Sequence, residues 1–184
     1  MNRTVLAAAV LMVMVAPSVA QTPQPYSGLQ SRPLKALSER QIADVRAGRG
    51  MGLALAAELN GYPGPIHVLE LAEQLGLSPQ QQTRVRALYE AMKAEAIPLG
   101  ERWIAQETLL DNLFADRSVT LATLAQATAV IAETQAALRL AHLKYHLAMI
   151  EVLAPSQIAR YAELRGYADD GAGHHHAGPQ HHPK

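Results

Sequence analysis

The residues best suited to chemistry in this chain are its histidines, two of which stand four positions apart. His142 and His146 fall in a segment with helical periodicity, so both rings project from one helix face and can share a Zn²⁺, Ni²⁺ or Cu²⁺ ion. Met149 lies one turn further along that face. His67 and Glu70, on an earlier predicted helix, complete the site if that helix packs alongside. The alternative is that the pair lies at a surface or an interface and binds no metal.

A second set of histidines lies in residues 169–184, a polar and glycine-rich tail that we expect to be disordered. Five imidazoles fall within nine positions of this tail: His174, His175, His176, His181 and His182. Neutral imidazoles at this density bind Ni²⁺, Cu²⁺ or Zn²⁺ without any fold. The interruption by residues 177–180 is not typical of a purification tag. The pattern predicts metal binding by the tail and leaves its biological use open.

Motifs for catalysis are missing from the sequence, so we expect no enzymatic activity and no required cofactor. The chain has no cysteine, no Gly-x-Ser-x-Gly and no His-Glu-x-x-His. Glu70 and Glu73 are expected to lie on the solvated face of a helix and not to form a catalytic pair. The 16 basic side chains match the 16 acidic ones, which argues against a nucleic-acid partner.

The first twenty residues have the pattern of a secretory signal peptide. Arg3 supplies the positive charge, residues 5–15 are almost uninterruptedly apolar, and residues 18–20 fit the small-residue cleavage site. A membrane anchor is the alternative, but the apolar run is too short to span a bilayer comfortably. We therefore expect cleavage before Gln21, no membrane span in the mature chain, and export to a bacterial periplasm.

The mature chain is rich in helix-forming residues and poor in β-branched ones, which predicts an all-α protein without a sheet. Residues 21–37 are rich in Pro, Gln and Ser, which predicts a flexible leader. A helical domain is predicted over residues 38–168. Ser38 and Gln41 have the spacing of a capping box at the start of the first helix. Glycines near Arg49 are expected to break or bend that helix.

Periodicity places the remaining helices and their packing seam. They are predicted at residues 66–75, from residue 79 onwards, at 121–152 and at 155–165. Pro98 lies inside the second of these and is expected to kink or split it. A seven-residue repeat marks the longest helix: Leu124, Ile131, Leu138, Tyr145 and Val152. The prediction is a long antiparallel helical hairpin bundle of four to five helices, whose slender shape leaves apolar surface for a partner subunit or a client.

Two helix starts in this pattern are copies of one another. Leu77-Ser78-Pro79-Gln80-Gln81 and Leu153-Ala154-Pro155-Ser156-Gln157 share Leu, Pro and Gln at the same offsets. Pro at the first helical position costs no hydrogen bond, and Ser78 can cap its helix with the hydroxyl. Ala154 cannot, so the second copy is predicted to be the weaker start.

Both copies resemble the LTxxQ motif of the Spy/CpxP family of periplasmic chaperones, which is related to periplasmic heavy-metal sensors and zinc-resistance proteins. The motif residues are Leu77, Ser78, Pro79, Gln81, Leu153, Pro155 and Gln157. The resemblance covers roughly residues 66–166. It implies a thin, cradle-shaped antiparallel homodimer that holds unfolding clients on its concave face without ATP during envelope stress. Docking on the periplasmic domain of a sensor kinase is a further interpretation.

Four residues are candidates for contact with clients. Met92 and Met149 have the adaptable side chains that promiscuous surfaces use. Arg84 and Arg160 each follow one motif copy by three residues. The alternative is that both methionines belong to the core. The sequence therefore favours a chaperone, with a metal-binding sensor or resistance protein as the second hypothesis.

Overall fold

The computed structural model describes residues 24–168, and this range contains helices and no strand. Residues 24–32 belong to one compact unit and residues 33–168 to another. The first holds a short 3-10 helix, Leu29–Ser31. The second holds α1 (Glu39–Arg46), α2 (Leu55–Glu58), α3 (Pro65–Glu70), α4 (Pro79–Ala115), α5 (Leu121–Ile150) and α6 (Pro155–Leu164). The all-α prediction is confirmed, and so is the break predicted near Arg49, since α1 ends at Arg46 and the short helix α2 begins at Leu55.

The helices α4 and α5 pack along each other as a hairpin. Each begins at a hydroxyl cap: Ser78 accepts from the backbone N–H of Gln81, and Thr120 accepts from that of Thr123. The turn between the two helices passes through Arg117, whose φ is 53°.

The seven-residue repeat predicted the inner side of α5 correctly. Ile131, Leu138 and Tyr145 are all buried. Leu124 is half-buried near the start of α5, and Val152 is half-buried just past its end, so the repeat follows the packing seam along the helix.

Pro98 does not split α4, which runs for 37 residues. The proline is exposed, so the carbonyl four residues earlier loses its helical partner on the solvent side, where water can replace the bond. Of the two predicted alternatives, a kink or a split, the split is therefore wrong, and a single long helix provides one wall of the hairpin.

Two hydrophobic clusters hold the shorter helices against the hairpin. The larger one consists of Val68, Leu75, Leu77, Val85, Met149, Leu153 and Tyr161. The smaller one consists of Leu34, Leu37, Val45 and Ile104. Leu34 and Leu37 are each 3% exposed, so the packed part of this unit begins ahead of Ser38, inside the segment predicted as a leader.

Between residues 24 and 168, no helix is both long and apolar enough to cross a membrane. The predicted signal peptide, residues 1–20, and the histidine tail, residues 169–184, lie outside the described residues.

Candidate functional site

Four of the predicted metal-binding residues line one cavity of about 550 Å³, here called the histidine cavity. Its walls come from residues 47–58, from α3 and from the facing sides of α4 and α5. The structure thus brings together the four residues that the sequence proposed from two separate helices: His67, Glu70, His142 and His146.

The ring of His146 is fixed by the turn that precedes α3. Its Nδ1–H donates to the backbone carbonyl of Tyr62 at 2.8 Å. Because a carbonyl oxygen only accepts, Nδ1 carries the proton and Nε2 of the neutral ring keeps its lone pair. Gly64 lies against this ring, since an added Cβ there would be 3.2 Å from Nε2. The turn therefore needs glycine at this position to make room for the imidazole.

His67 is oriented in the same way by a carboxylate. Its Nδ1 lies 3.0 Å from Oε2 of Glu70, one turn further along α3, so Nδ1–H donates to that oxygen. This arrangement leaves Nε2 of His67 free to accept, and a carboxylate partner of this kind commonly orients metal-binding histidines. Both groups are well exposed, so the pair itself contributes little to stability.

His142 is the unusual member of the set. The residue is 3% exposed, and its Nε2 has no hydrogen-bond partner among the described residues. Burial lowers the pKa of the ring below its ordinary value, and the nearby His146 lowers it further. Gly50 packs against the ring, since a Cβ there would lie 3.4 Å from Nδ1. A buried imidazole is therefore held in the cavity wall, and its unpartnered Nε2 is itself covered by the surrounding side chains.

A buried carboxylate completes the cavity, and sequence reasoning missed it. Glu58 is 7% exposed; its Oε2 accepts from the N–H of Gly64 at 3.0 Å, and its Oε1 accepts from the hydroxyl of Tyr161. His146 and Arg165 lie 3.6 and 3.7 Å from the carboxylate. Glu58 sits in a short helix without a periodic pattern, so no signal in the sequence distinguished it from an exposed glutamate.

The cavity residues do not form a ready-made metal centre. Within residues 24–168, no three His, Asp or Glu side chains are gathered closely enough to hold one ion. The free nitrogens of His67, His142 and His146 share the cavity walls without converging on a point. A metal ion would therefore bind only after side chains rotate.

The proposed client-contact residues are divided between interior and surface. Met92 and Met149 are 5% and 0% exposed, and Met149 belongs to the larger hydrophobic cluster. A client cannot reach these side chains while the helices stay packed. Arg84 and Arg160 are exposed, and Arg160 contacts Glu163 at 2.8 Å.

The two motif copies lie side by side at the base of the hairpin. Leu77 and Leu153 are buried in the larger cluster. Gln81 and Gln157 are partly buried and contact each other. Pro79 and Pro155 are the first residues of α4 and α6, as the sequence predicts. The motif residues therefore assemble the base of the hairpin and do not line the histidine cavity.

A second concave surface, here called the hairpin groove, lies between α4 and α5 next to their connection. It has a volume of about 410 Å³ and is lined by Gln106, Leu109, Asn112, Leu113, Asp116, Ser118, Thr123, Gln126, Ala127 and Val130. The Oε1 atom of Gln106 is buried without a partner within the described range. Leu109 is 65% exposed, and two further apolar residues near this end, Phe114 and Leu121, are 54% and 84% exposed.

Comparisons of this chain with protein families, with curated proteins and with solved structures find no match. The functional argument therefore depends on the geometry of the two concave surfaces and on the sequence motifs.

Proposed function

We propose that this protein is a periplasmic, ATP-independent chaperone that binds unfolding proteins and limits their aggregation. The observation that carries the proposal is the hairpin groove, which is lined by the exposed Leu109, together with Phe114 and Leu121, which are exposed at the same end of the hairpin. Large apolar side chains are costly to leave in water, and a group of them at one end of a helical hairpin is typical of an interaction surface.

The chemistry of the groove suits an extended peptide segment. Its lining combines aliphatic side chains with the amides of Gln106, Asn112 and Gln126. The exposed side-chain amides of Asn112 and Gln126 can accept a hydrogen bond from a peptide N–H, which an unfolded chain offers at every residue but proline. Contacts of this kind bind many sequences weakly, so a client can leave and refold without nucleotide hydrolysis.

The sequence motifs support the same proposal. The duplicated helix starts resemble those of the Spy/CpxP family, and the signal-like residues 1–20 favour a periplasmic location. A role in envelope stress and docking on the periplasmic domain of a sensor kinase belong to the proposal on the strength of that resemblance.

An aggregation assay tests the proposal. Light scattering of a denatured client is followed on dilution, with near-stoichiometric amounts of the protein and no nucleotide. We expect clear suppression by the natural protein and at least a threefold loss of potency for Leu109→Glu. Ala91→Glu is the matched control, because it adds the same charge to an exposed position about 27 Å away along α4. Absence of suppression for several unrelated clients, or equal losses in the two variants, would overturn the proposal.

Metal binding is a second candidate function, favoured by one specific observation. His67, His142 and His146 line the same cavity, and each has a ring nitrogen without a hydrogen-bond partner among residues 24–168. These residues would hold Zn²⁺, Ni²⁺ or Cu²⁺ after side-chain rotation, with Glu70 as a further ligand.

Calorimetric titration separates the cavity from the tail. Zn²⁺, Ni²⁺ and Cu²⁺ are each titrated into the full chain, into a chain ending at Ala168, and into His142→Gln. Submicromolar affinity that survives removal of the tail and is lost in His142→Gln supports the cavity site. Affinity that disappears with the tail alone rules it out.

A further inference from the structure

The segment that connects α1 to α2, residues 47–54, crosses both helices of the hairpin, and we call it the strap. Its Gly48 lies against α4, since an added Cβ there would be 3.2 Å from Cγ1 of Ile97. Its Gly50 lies against α5, where a Cβ would be 3.4 Å from Nδ1 and 3.6 Å from Cε1 of His142. Because glycine has no side chain, the backbone of the strap lies directly on the hairpin and covers one edge of the buried imidazole.

The strap is held on the hairpin by packing alone. Its backbone hydrogen bonds run to α1, to α2 or within the strap itself: the N–H of Arg49 donates to the carbonyl of Asp44, and that of Leu53 donates to the carbonyl of Gly50. The side chain of Arg49 also contacts Asp44. Among residues 24–168, no hydrogen bond or ion pair joins the strap to α4 or α5. Lifting the strap therefore breaks no directional bond to the hairpin, and segments of this kind open at a lower free energy than the whole fold.

Both ends of the strap are fixed, so its opening is a local motion. Before the strap, Val45 is 2% exposed and packs closely on Gly100 of α4. After the strap, Glu58 accepts a hydrogen bond from the hydroxyl of Tyr161. Between these anchors Gly52 has a φ of 84°, and an added Cβ there would meet no atom of the hairpin within 4 Å. The chain can therefore bend at Gly52 without disturbing α4 or α5.

We propose that the strap lifts from the hairpin and thereby controls access to His142 in the histidine cavity. While the strap lies on α5, His142 is 3% exposed and its Nδ1 faces the backbone of Gly50. Once the strap lifts, this nitrogen faces the cavity that His67 and His146 also line. The open form then offers a third imidazole to a divalent transition-metal ion, a step that rests on the metal site proposed above. The opening itself requires no metal.

Chemical labelling of the histidines in the full chain tests the opening without any metal. Diethyl pyrocarbonate acylates the ring nitrogens of unprotonated histidine, and mass spectrometry of tryptic peptides identifies the labelled residue. Cleavage at Arg139 and Lys144 isolates His142 in a peptide of its own. His67, whose side chain is 36% exposed, should react fast. His142 should react more slowly, at a rate set by the opening of the strap.

A bulky side chain at Gly50 should hold the strap open. Gly50→Leu places a branched side chain where only a Cβ fits, so we expect His142 to react about tenfold faster, with His67 unchanged. Gly50→Ala is the matched control: its Cβ makes only ordinary contact with the ring, so the rate should stay within about twofold. Gly52→Ala is a second opening variant, because alanine is strained at a φ of 84°, and it should also speed the labelling of His142.

Metal-binding kinetics test the step that rests on the proposed metal site. Stopped-flow absorbance follows the mixing of Cu²⁺ with the full chain. Binding that uses His142 should level off with rising Cu²⁺ concentration at the rate at which the strap opens, and Gly50→Leu should raise that limit. If this phase is missing from both proteins while labelling of His142 responds to Gly50→Leu, the metal site is wrong and the opening of the strap is supported.

Global unfolding would also expose His142, and Gln81→Ala separates the two routes. Gln81 lies at the start of α4 and bonds to Gln157, so its loss weakens the base of the hairpin without touching the strap. Local opening predicts that Gln81→Ala changes the labelling rate of His142 by less than about twofold. Far-ultraviolet circular dichroism and urea unfolding verify the fold and stability of each variant. The proposal is overturned if labelling rates follow global stability in all variants, or if neither folded opening variant speeds the labelling of His142.

Discussion

Gln81 and Gln157, which occupy the same position in the two motif copies, hydrogen-bond to each other through their side chains. The Nε2 of Gln81 lies 2.8 Å from Oε1 of Gln157, and the Nε2 of Gln157 lies 3.1 Å from Oε1 of Gln81. The two positions are 76 residues apart in the chain. The repeat is therefore a contact as well as a sequence pattern.

Each glutamine also joins its own helix start to the end of another segment. Gln81 accepts from the backbone N–H of Ser78 and donates to the carbonyl of Val152. Gln157 accepts from the N–H of Ala154 and donates to the carbonyl of Leu75. The pair thereby fixes the starts of α4 and α6 against each other, and this holds the base of the hairpin together.

Replacing either glutamine by alanine is expected to destabilise the protein. Gln81→Ala leaves the carbonyl of Val152 without its side-chain partner and removes both hydrogen bonds to Gln157, so we expect a loss of about 1–3 kcal/mol. The double variant should lose less than the sum of the two single losses, because the shared bond disappears only once. Urea unfolding measures the free energy of unfolding of the natural protein, the two single variants and the double variant.

The exposed Gln80→Ala is the control for helix propensity, and it should change stability by less than about 0.5 kcal/mol. If the losses of stability in Gln81→Ala and Gln157→Ala were strictly additive, the two side chains would not interact in solution.

A hydroxyl at the N-cap of α6 should stabilise the start of this helix. Ala154 has extended backbone angles at the cap of this helix and offers no side-chain acceptor, whereas Ser78 accepts from the N–H of Gln81 at 3.2 Å. Ala154→Ser should therefore stabilise the protein by about 0.5–1 kcal/mol. Ser78→Ala should destabilise it by a similar amount. Denaturation midpoints measure both, and a destabilising Ala154→Ser would show that the caps are not equivalent.

The sequence predicted the helix starts and the inner face of α5 because both depend on local chemistry. Ser38, Ser78 and Pro155 mark helix starts through caps and fixed φ angles, which act within four residues. The sequence left open whether Pro98 kinks or splits its helix, because the cost of the proline depends on whether its side of the helix meets water, and this is decided by packing.

The sequence predicted the histidine cavity only in part. The proximity of His142 and His146 follows from their helical spacing. Whether His67 lines the same cavity depends on how α3 packs against α4 and α5. Glu58 could not be predicted, because its burial comes from Tyr161, which lies 103 residues later in the chain. Contacts of that range leave no trace in the periodicity of either segment.

The buried carboxylate is expected to be important for stability. Glu58→Gln weakens its interactions with Tyr161, His146 and Arg165, so we expect a loss of about 1–3 kcal/mol. Glu73→Gln is the matched control at an exposed position. Urea unfolding at neutral pH compares the two, and an equal response would show that the Glu58 carboxylate is not needed as a charge.

Stability at alkaline pH should depend on Tyr145. Burial and the hydrogen bond that its hydroxyl donates to Glu95 raise the pKa of Tyr145 to about 12 from an ordinary 10. The unfolded chain therefore loses this proton first, and the stabilisation that is complete below pH 10 falls as the pH rises towards 12. The pKa of Tyr161 is raised for the same reasons and contributes in the same direction.

Urea unfolding of the natural protein and of Tyr145→Phe at about pH 9 and about pH 11 measures this contribution. The variant should show a smaller fall in stability between the two conditions. If both proteins fall equally, Tyr145 does not keep its proton in the folded state.

The contact between α1 and α4 should tolerate no added methyl group at Gly100. A Cβ at this position would clash with Cγ1 of Val45 and would lie 3.1 Å from the carbonyl oxygen of the same residue. Gly100→Ala is therefore expected to destabilise the protein by about 1–3 kcal/mol, although alanine is the better helix former. Val45→Ala in the same chain removes the clashing methyl and should restore part of the loss, so the pair of changes should cost less than their sum. Thermal unfolding of the single and double variants measures this, and a stabilising Gly100→Ala would show that α1 does not pack against α4 at this point.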